Sequence, residues 1–267
     1  MIYYIVSKKE GKMKKSILFC MFSAVALSLC GCLNPHLGSM GASQMIVAHQ
    51  PRIAVNGDTS SVTVSVDAYG GAKMMGRNIK DGFTGGAAAA LNYRPLGFAT
   101  PFYLEAALGG KGGIASLDCT EGGKCNDGYN DWLATKKGKK KYSFWNLQER
   151  LSMGADFDLG PVILGLGAGV QIFEGGGDFD DIRDKLSKNN LAENDDEGYG
   201  VELYSSARIG ARLGQNGVVM LESGFMWLKT LNLALMLNYY HPSGFHGGVF
   251  AAEKVGYGVS FGKTFSF

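Results

Sequence analysis

The chain has 267 residues, enough for one domain of ordinary size once a targeting segment is set aside. Lys and Arg number 26 against 24 Asp and Glu, and a net charge of +2 makes no field strong enough to select nucleic acid. Glycine is abundant at 40 residues and proline scarce at 6, which without a Gly-x-y period excludes collagen and points to many turns and closely packed strands.

At the N-terminus, Lys8, Lys9, Lys12, Lys14 and Lys15 precede an apolar run over residues 17–29. The run is too short to span a bilayer comfortably but suits the central region of a secretory signal, with Met13 as a second candidate start. It ends in Leu29-Cys30-Gly31-Cys32, which resembles the lipobox of bacterial lipoproteins, although Cys30 replaces the usual small residue. The resemblance implies that residues 1–31 are removed and that Cys32 is acylated. Ordinary cleavage somewhere before Ser43 is the alternative. Leu33, where Asp would signal retention, resembles the pattern sent to the outer membrane. The N-terminus is therefore expected to be lipid-anchored on the periplasmic side, with residues 32–58 as a loosely structured tether. Cys20 and Cys30 leave with the signal, so Cys119 and Cys125 remain as a pair expected to form a disulfide in an oxidising compartment. Zinc would need further soft or imidazole ligands, and no histidine lies nearby.

From residue 59 onwards the chain alternates apolar residues with small or polar ones, broken by Gly-, Asn- and Asp-rich stretches. The expected strands are 60–70, 84–95, 100–110, 142–158, 161–173 and 199–213, followed by residues 217–267. In the sixth, Val201, Leu203, Ile209 and Leu213 share one face, and Glu202, Tyr204, Arg208 and Arg212 share the other. In the fifth, Gly165, Gly167 and Gly169 oppose the apolar row and leave room for bulkier neighbours. At the end, Tyr257, Val259, Phe261, Phe265 and Phe267 alternate with Gly258, Ser260, Gly262, Thr264 and Ser266.

That alternating, aromatic-ended strand resembles the C-terminal strand of small outer-membrane β-barrel proteins, the OmpA/OmpX-like barrels. The resemblance implies an all-β, closed, antiparallel up-and-down transmembrane barrel over residues 59–267, delivered by barrel-assembly machinery. Connections alternate short (158–161, 214–217) with long (111–141, 174–198), as periplasmic turns alternate with surface loops. A soluble, lipid-tethered β-domain is the alternative, since sheets packed face to face also alternate. Both chain ends on one side require an even strand number. Because the apolar phase runs unbroken on odd positions from Val219 to Tyr239, eight strands are expected, the last two forming a tall hairpin with its tip at His241-Pro-Ser-Gly244. Ten strands, with a turn at Lys229-Thr230, are the alternative.

An eight-stranded lumen is filled by its own side chains, so a general diffusion pore is not expected. Glu105, Arg150, Glu202, Arg208, Arg212 and Glu222 would pair inside it. The basic run over 136–141 suits lipopolysaccharide phosphates, and Asp178, Asp180, Asp181, Asp195 and Asp196 are weak calcium candidates lacking EF-hand spacing. His241, Ser243 and Glu253 faintly resemble the His-x-Ser…Glu arrangement of outer-membrane lipid A deacylases, with Gly244 where that family has Asn and Glu253 far from the C-terminus. The main expectation is a monomeric, non-enzymatic outer-membrane lipoprotein without cofactors, contacting lipid and lipopolysaccharide. A lipid A or phospholipid hydrolase is the alternative.

Overall fold

A computed structural model describes residues 43–51, 62–72, 79–95, 101–117, 141–188, 199–227 and 232–267. The chain divides into two compact units, Met1–Leu33 and Asn34–Phe267, and all described residues belong to the second. The strands are β1 (Val62–Ala72), β2 (Ile79–Tyr93), β3 (Phe102–Leu117), β4 (Lys141–Asp158), β5 (Val162–Gly176), β6 (Tyr199–Arg212), β7 (Val218–Trp227), β8 (Asn232–Tyr240), β9 (Phe245–Ala252) and β10 (Gly256–Ser266). Helix α1 (Asp178–Lys188) follows β5. Each strand pairs antiparallel with the next, and β1 closes the ring on β10, with Val64 opposite Phe265 and Ala72 opposite Tyr257. Closure gives every strand a neighbour on both sides, the condition that lipid imposes on a backbone it cannot hydrogen-bond.

Ten strands overturn the expected eight. The tall final hairpin is replaced by two shorter pairs: β7 lies against β8, with Val219 opposite Tyr239, and β9 turns at 253–255 into β10. The unbroken odd-numbered phase misleads here because cross-strand partners face the same way. When odd residues pair with odd residues, as in Val219↔Tyr239 and Leu221↔Leu237, a hairpin preserves the phase through its turn, and phase cannot count strands.

The alternation places apolar residues outwards, with Leu151, Met153, Leu203, Ile209, Leu235 and Phe261 exposed and Leu233 half-buried. Arg150, Glu202 and Arg208 are buried on the opposite face. Inward glycines make room for large side chains. A Cβ on Gly167 would lie 2.6 Å from the Tyr103 hydroxyl, and one on Gly165 would lie 2.7 Å from both Arg208 Nε and Asp156 Oδ1. Such contacts cannot be accommodated without moving the buried ring or ion pair.

Leu235 sits mid-strand on the outer face of β8. Leu235→Arg is expected to block insertion or to lower stability in lipid vesicles by about 2–4 kcal/mol, as read from urea unfolding and heat-modifiable migration.

Candidate functional site: an occupied lumen

Residues 43–51 lie within the stretch expected to be a tether, yet all are buried inside the barrel. Their partners surround them. Ile46 packs in one cluster with Tyr69, Ala234, Met236, Phe250 and Ala252. Ala48 packs with Ile163, Val218, Met220 and Tyr240, while Met45 and Val47 meet Ala88, Ala90 and Ala107. These partners come from β1, β2, β3, β5, β7, β8 and β9, so the segment runs through the middle of the lumen rather than along one wall.

Polar contacts fix the segment at both ends. Ser43 O accepts from Gln148 Nε2 at 2.6 Å and Gln171 Nε2 at 2.9 Å, and Gln44 Nε2 donates to Asn232 O at 2.9 Å. At the other end, Gln50 O accepts from Arg94 at 3.3 Å, and Gln50 Oε1 accepts from the Thr264 hydroxyl at 2.8 Å.

Between them sits the densest group of charges among the described residues. His49 Nδ1 lies 2.8 Å from Glu105 Oε2, and His49 Nε2 lies 3.1 Å from Asp156 Oδ2. An ionised carboxylate only accepts, so both contacts are hydrogen bonds when the imidazole carries a proton on each nitrogen. Arg150 Nη2 donates to Glu105 at 3.0 Å, Arg94 Nη2 to Asp156 Oδ2 at 2.9 Å, and Arg208 Nη2 to Asp156 Oδ1 at 3.4 Å. The Tyr103 ring lies 4.5 Å from the His49 ring and 5.5 Å from the Arg94 guanidinium, and the Tyr103 hydroxyl accepts a hydrogen bond from Arg208 Nη2. Arg150 covers Tyr204, whose hydroxyl donates to Glu222 at 3.3 Å. The arrangement ties one histidine of the N-terminal segment to β3 and β4 and compensates the buried charges around it.

Of the expected lumen residues, Glu105, Arg150, Arg208 and Glu222 fall in or beside this cluster, and Glu202 is buried further along β6. Arg212 does not join them. It pairs with Asp158 at 3.0 Å near the short turn after β4, both side chains part-exposed, because it lies at the end of β6. His49, Arg94 and Tyr103 are members of the buried cluster that the sequence reading did not single out. Their signal was indirect: inward glycines on β3 and β5 leave more space than the strands alone would fill.

The hydrolase residues are not assembled. His241 Nδ1 is 2.7 Å from Ser243 Oγ, but Nδ1 also accepts from the Ser243 backbone N–H at 3.2 Å, a local turn contact on an exposed tip. Glu253 lies beyond the other end of β9, eight residues of strand away, or roughly 25 Å. Asp178, Asp180 and Asp181 occupy the first turn of α1, where Asp178 accepts from Ser143 at 3.0 Å. Among the described residues no three His, Cys, Asp or Glu side chains are grouped to hold a metal ion. Cys32, Cys119, Cys125, Asp195 and Asp196 lie outside the described residues.

Around the outside, two rows of exposed aromatics flank the apolar surface. Trp145, Tyr199, Trp227 and Tyr257 stand towards the end that bears the long connections, and Tyr93, Phe102, Phe157, Tyr239 and Phe245 stand at the short-turn end. Aromatic girdles at both interfaces, with an apolar band between them, are the outer signature of a barrel in lipid. This is a transmembrane β-barrel of the outer-membrane type.

No family model and no curated protein matches the barrel's sequence. Solved structures similar to it include Neisserial surface protein A, at 13% identity and a TM-score of 0.33, covering 78% of this chain and 98% of that one. The β domain of the Bordetella autotransporter BrkA aligns at 10% identity and a TM-score of 0.40, covering 79% and 100%. The COG4313 outer membrane channel from Pseudomonas putida F1 aligns at 9% identity and a TM-score of 0.38, covering 82% and 100%. At these values the assignment to the outer-membrane type rests on the barrel's own closure and belt.

Removing Asp156 strands Arg94, Arg208 and His49 in the lumen. Asp156→Ala is therefore expected to cost about 3–5 kcal/mol, whereas Asp158→Ala at the part-exposed pair should cost about 0–1 kcal/mol, both measured by urea unfolding in vesicles.

Proposed function

We propose that this protein is a non-enzymatic outer-membrane barrel of a Gram-negative bacterium, closed by its own residues 43–51, that acts through its outward surface rather than by conducting solutes. The observation that carries the reading is the occupied lumen. The segment and the ion-paired cluster around His49 take the space through which a solute would move, and the buried charges are compensated by one another. The short turns then face the periplasm and the long connections face the exterior. The basic run 136–141 ends at the exposed Lys141, the first residue of β4, and suits the phosphates of lipopolysaccharide. Acylation of Cys32 belongs to the same reading, as does a disulfide between Cys119 and Cys125 on the outer side. No carboxylate orients the His241–Ser243 pair from the far end of β9, so the turn serves as a turn.

Planar-bilayer recording tests the reading. The intact protein should give no stable open channel, and deletion of residues 43–51 from protein that still migrates as a folded barrel should produce steps of conductance. Steady conductance by the intact protein would contradict it. Neutralising the lysines of 136–141 to Gln should reduce lipopolysaccharide retained on purification without changing heat-modifiable migration.

A further inference from the structure

Among the described residues the apolar belt is interrupted by one charge. On β4 the outward residues Trp145, Leu147, Leu151 and Met153 are joined, in the same phase, by exposed Glu149. Its cross-strand neighbours are Leu108 on β3 and Ile172 on β5, both exposed on the outer wall. Along the same strand stand Trp145, in one aromatic row, and Phe157, in the other. At about 3.3 Å per residue and a strand tilt of about 40°, Glu149 lies roughly 10 Å inside the belt from the Trp145 row. Its carboxylate has no hydrogen bond or ion pair among the described residues.

An ionisable side chain facing hydrocarbon is costly and marks a site with a partner. Lysine and arginine return their charge to water on a long stem, but the two methylenes of Glu149 do not span that distance. Lipid headgroups lie at the level of the aromatic rows, so lipid brings no cation to this depth. A second copy inserted the same way brings none among the described residues either. Lys263 stands at the opposite row, 4.7 Å from the centre of the Phe245 ring, and Lys141 lies beyond Trp145 at the start of β4. Beside Glu149 the wall is indented. A groove of about 580 Å³, lined by Leu104, Ala106, Leu151, Met153, Ala168 and Val170, is continued by one of about 460 Å³ that shares Leu104, Met153 and Ala168. We propose that Glu149 and this groove form the docking face for a different membrane-embedded protein, one that carries a lysine or arginine in an otherwise apolar lipid-facing surface. The partner's cation pairs with Glu149 where water does not compete, and its apolar side chains fill the groove. Glu174, opposite Leu147 and Tyr199 at the aromatic row, adds a carboxylate at the wetter edge of the same face. The inference rests on the barrel standing in lipid, and uses neither the lumen segment nor which end of the barrel faces out.

Site-specific photocrosslinking in cells tests it, with p-benzoylphenylalanine in place of Leu108 or Ile172 beside Glu149, or of Leu235 on β8 as the control. Each variant is scored on its folded, heat-modifiable fraction. The Leu108 and Ile172 positions should give one protein adduct, and the Leu235 position lipid adducts alone. Glu149→Lys should lower the protein adduct by about tenfold, and exchanging the partner's lysine or arginine nearest the crosslink for glutamate should restore it. Glu149→Leu should lower the adduct likewise, yet raise the urea midpoint of the purified barrel in phosphatidylcholine vesicles, because an unpaired carboxylate leaves the wall. An adduct insensitive to Glu149→Lys, an adduct of the barrel with its own second copy, or lipid adducts alone at Leu108 and Ile172 would overturn the proposal. An unchanged or lower midpoint for Glu149→Leu overturns it too, since the carboxylate would then carry no cost that a partner relieves. If the Leu235 position gives no lipid adduct, the placement in lipid fails and the docking face fails with it.

Discussion

His49, held between Glu105 and Asp156, is the contact on which the arrangement of the lumen depends. A ring of eight strands is narrow enough for its own side chains to fill. With ten strands, and with glycine at inward positions such as Gly165 and Gly167, the wall leaves a space that must be filled by water or by chain. Residues 43–51 fill it, with Met45, Ile46, Val47 and Ala48 meeting apolar patches on the wall and His49 meeting the carboxylates. Apolar packing supplies contact area on every side. The charged end supplies register, because a shift of one residue along the axis would take the imidazole away from both acids.

Buried charges are costly to bring out of water, and a buried pair is weak evidence for stability. The cluster is better understood as a lock. Glu105 and Asp156 draw in Arg94, Arg150 and Arg208 from the wall, and without an imidazole the two carboxylates would lose the contact that joins them. Each inward glycine extends the same design, since Gly165 and Gly167 allow Arg208, Asp156 and Tyr103 to lie flat enough against the strands to reach the segment. Outside, the aromatic rows and apolar belt answer to lipid and are indifferent to what fills the lumen.

This division explains what was legible in the sequence. The outward face follows from period-two alternation, which Leu203, Ile209 and Phe261 display without reference to any distant residue. Lumen positions Glu105, Arg150 and Arg208 follow as the other phase of the same pattern. Strand number was not legible, because hairpins that pair odd residues with odd residues keep one phase through successive turns. The turn over 253–255 also lacks Asn, Pro and Asp, and Lys254 itself takes the left-handed conformation with φ +58°. The segment 43–51 was not legible at all. It makes no strand ladder, has no periodicity to read, and acquires meaning only from a wall whose nearest named residue, Tyr69, is more than twenty positions from Ile46 and whose farthest, Thr264, is more than two hundred from Gln50.

Solid-state NMR of the protein in lipid bilayers, with labelled histidine and labelled carboxylates, tests the occupied lumen most directly. The account predicts an ordered His49 ring protonated on both nitrogens, with through-space contacts to the side-chain carboxyl carbons of both Glu105 and Asp156. A His49 ring in fast motion, exchanging with water and showing neither contact, would contradict it.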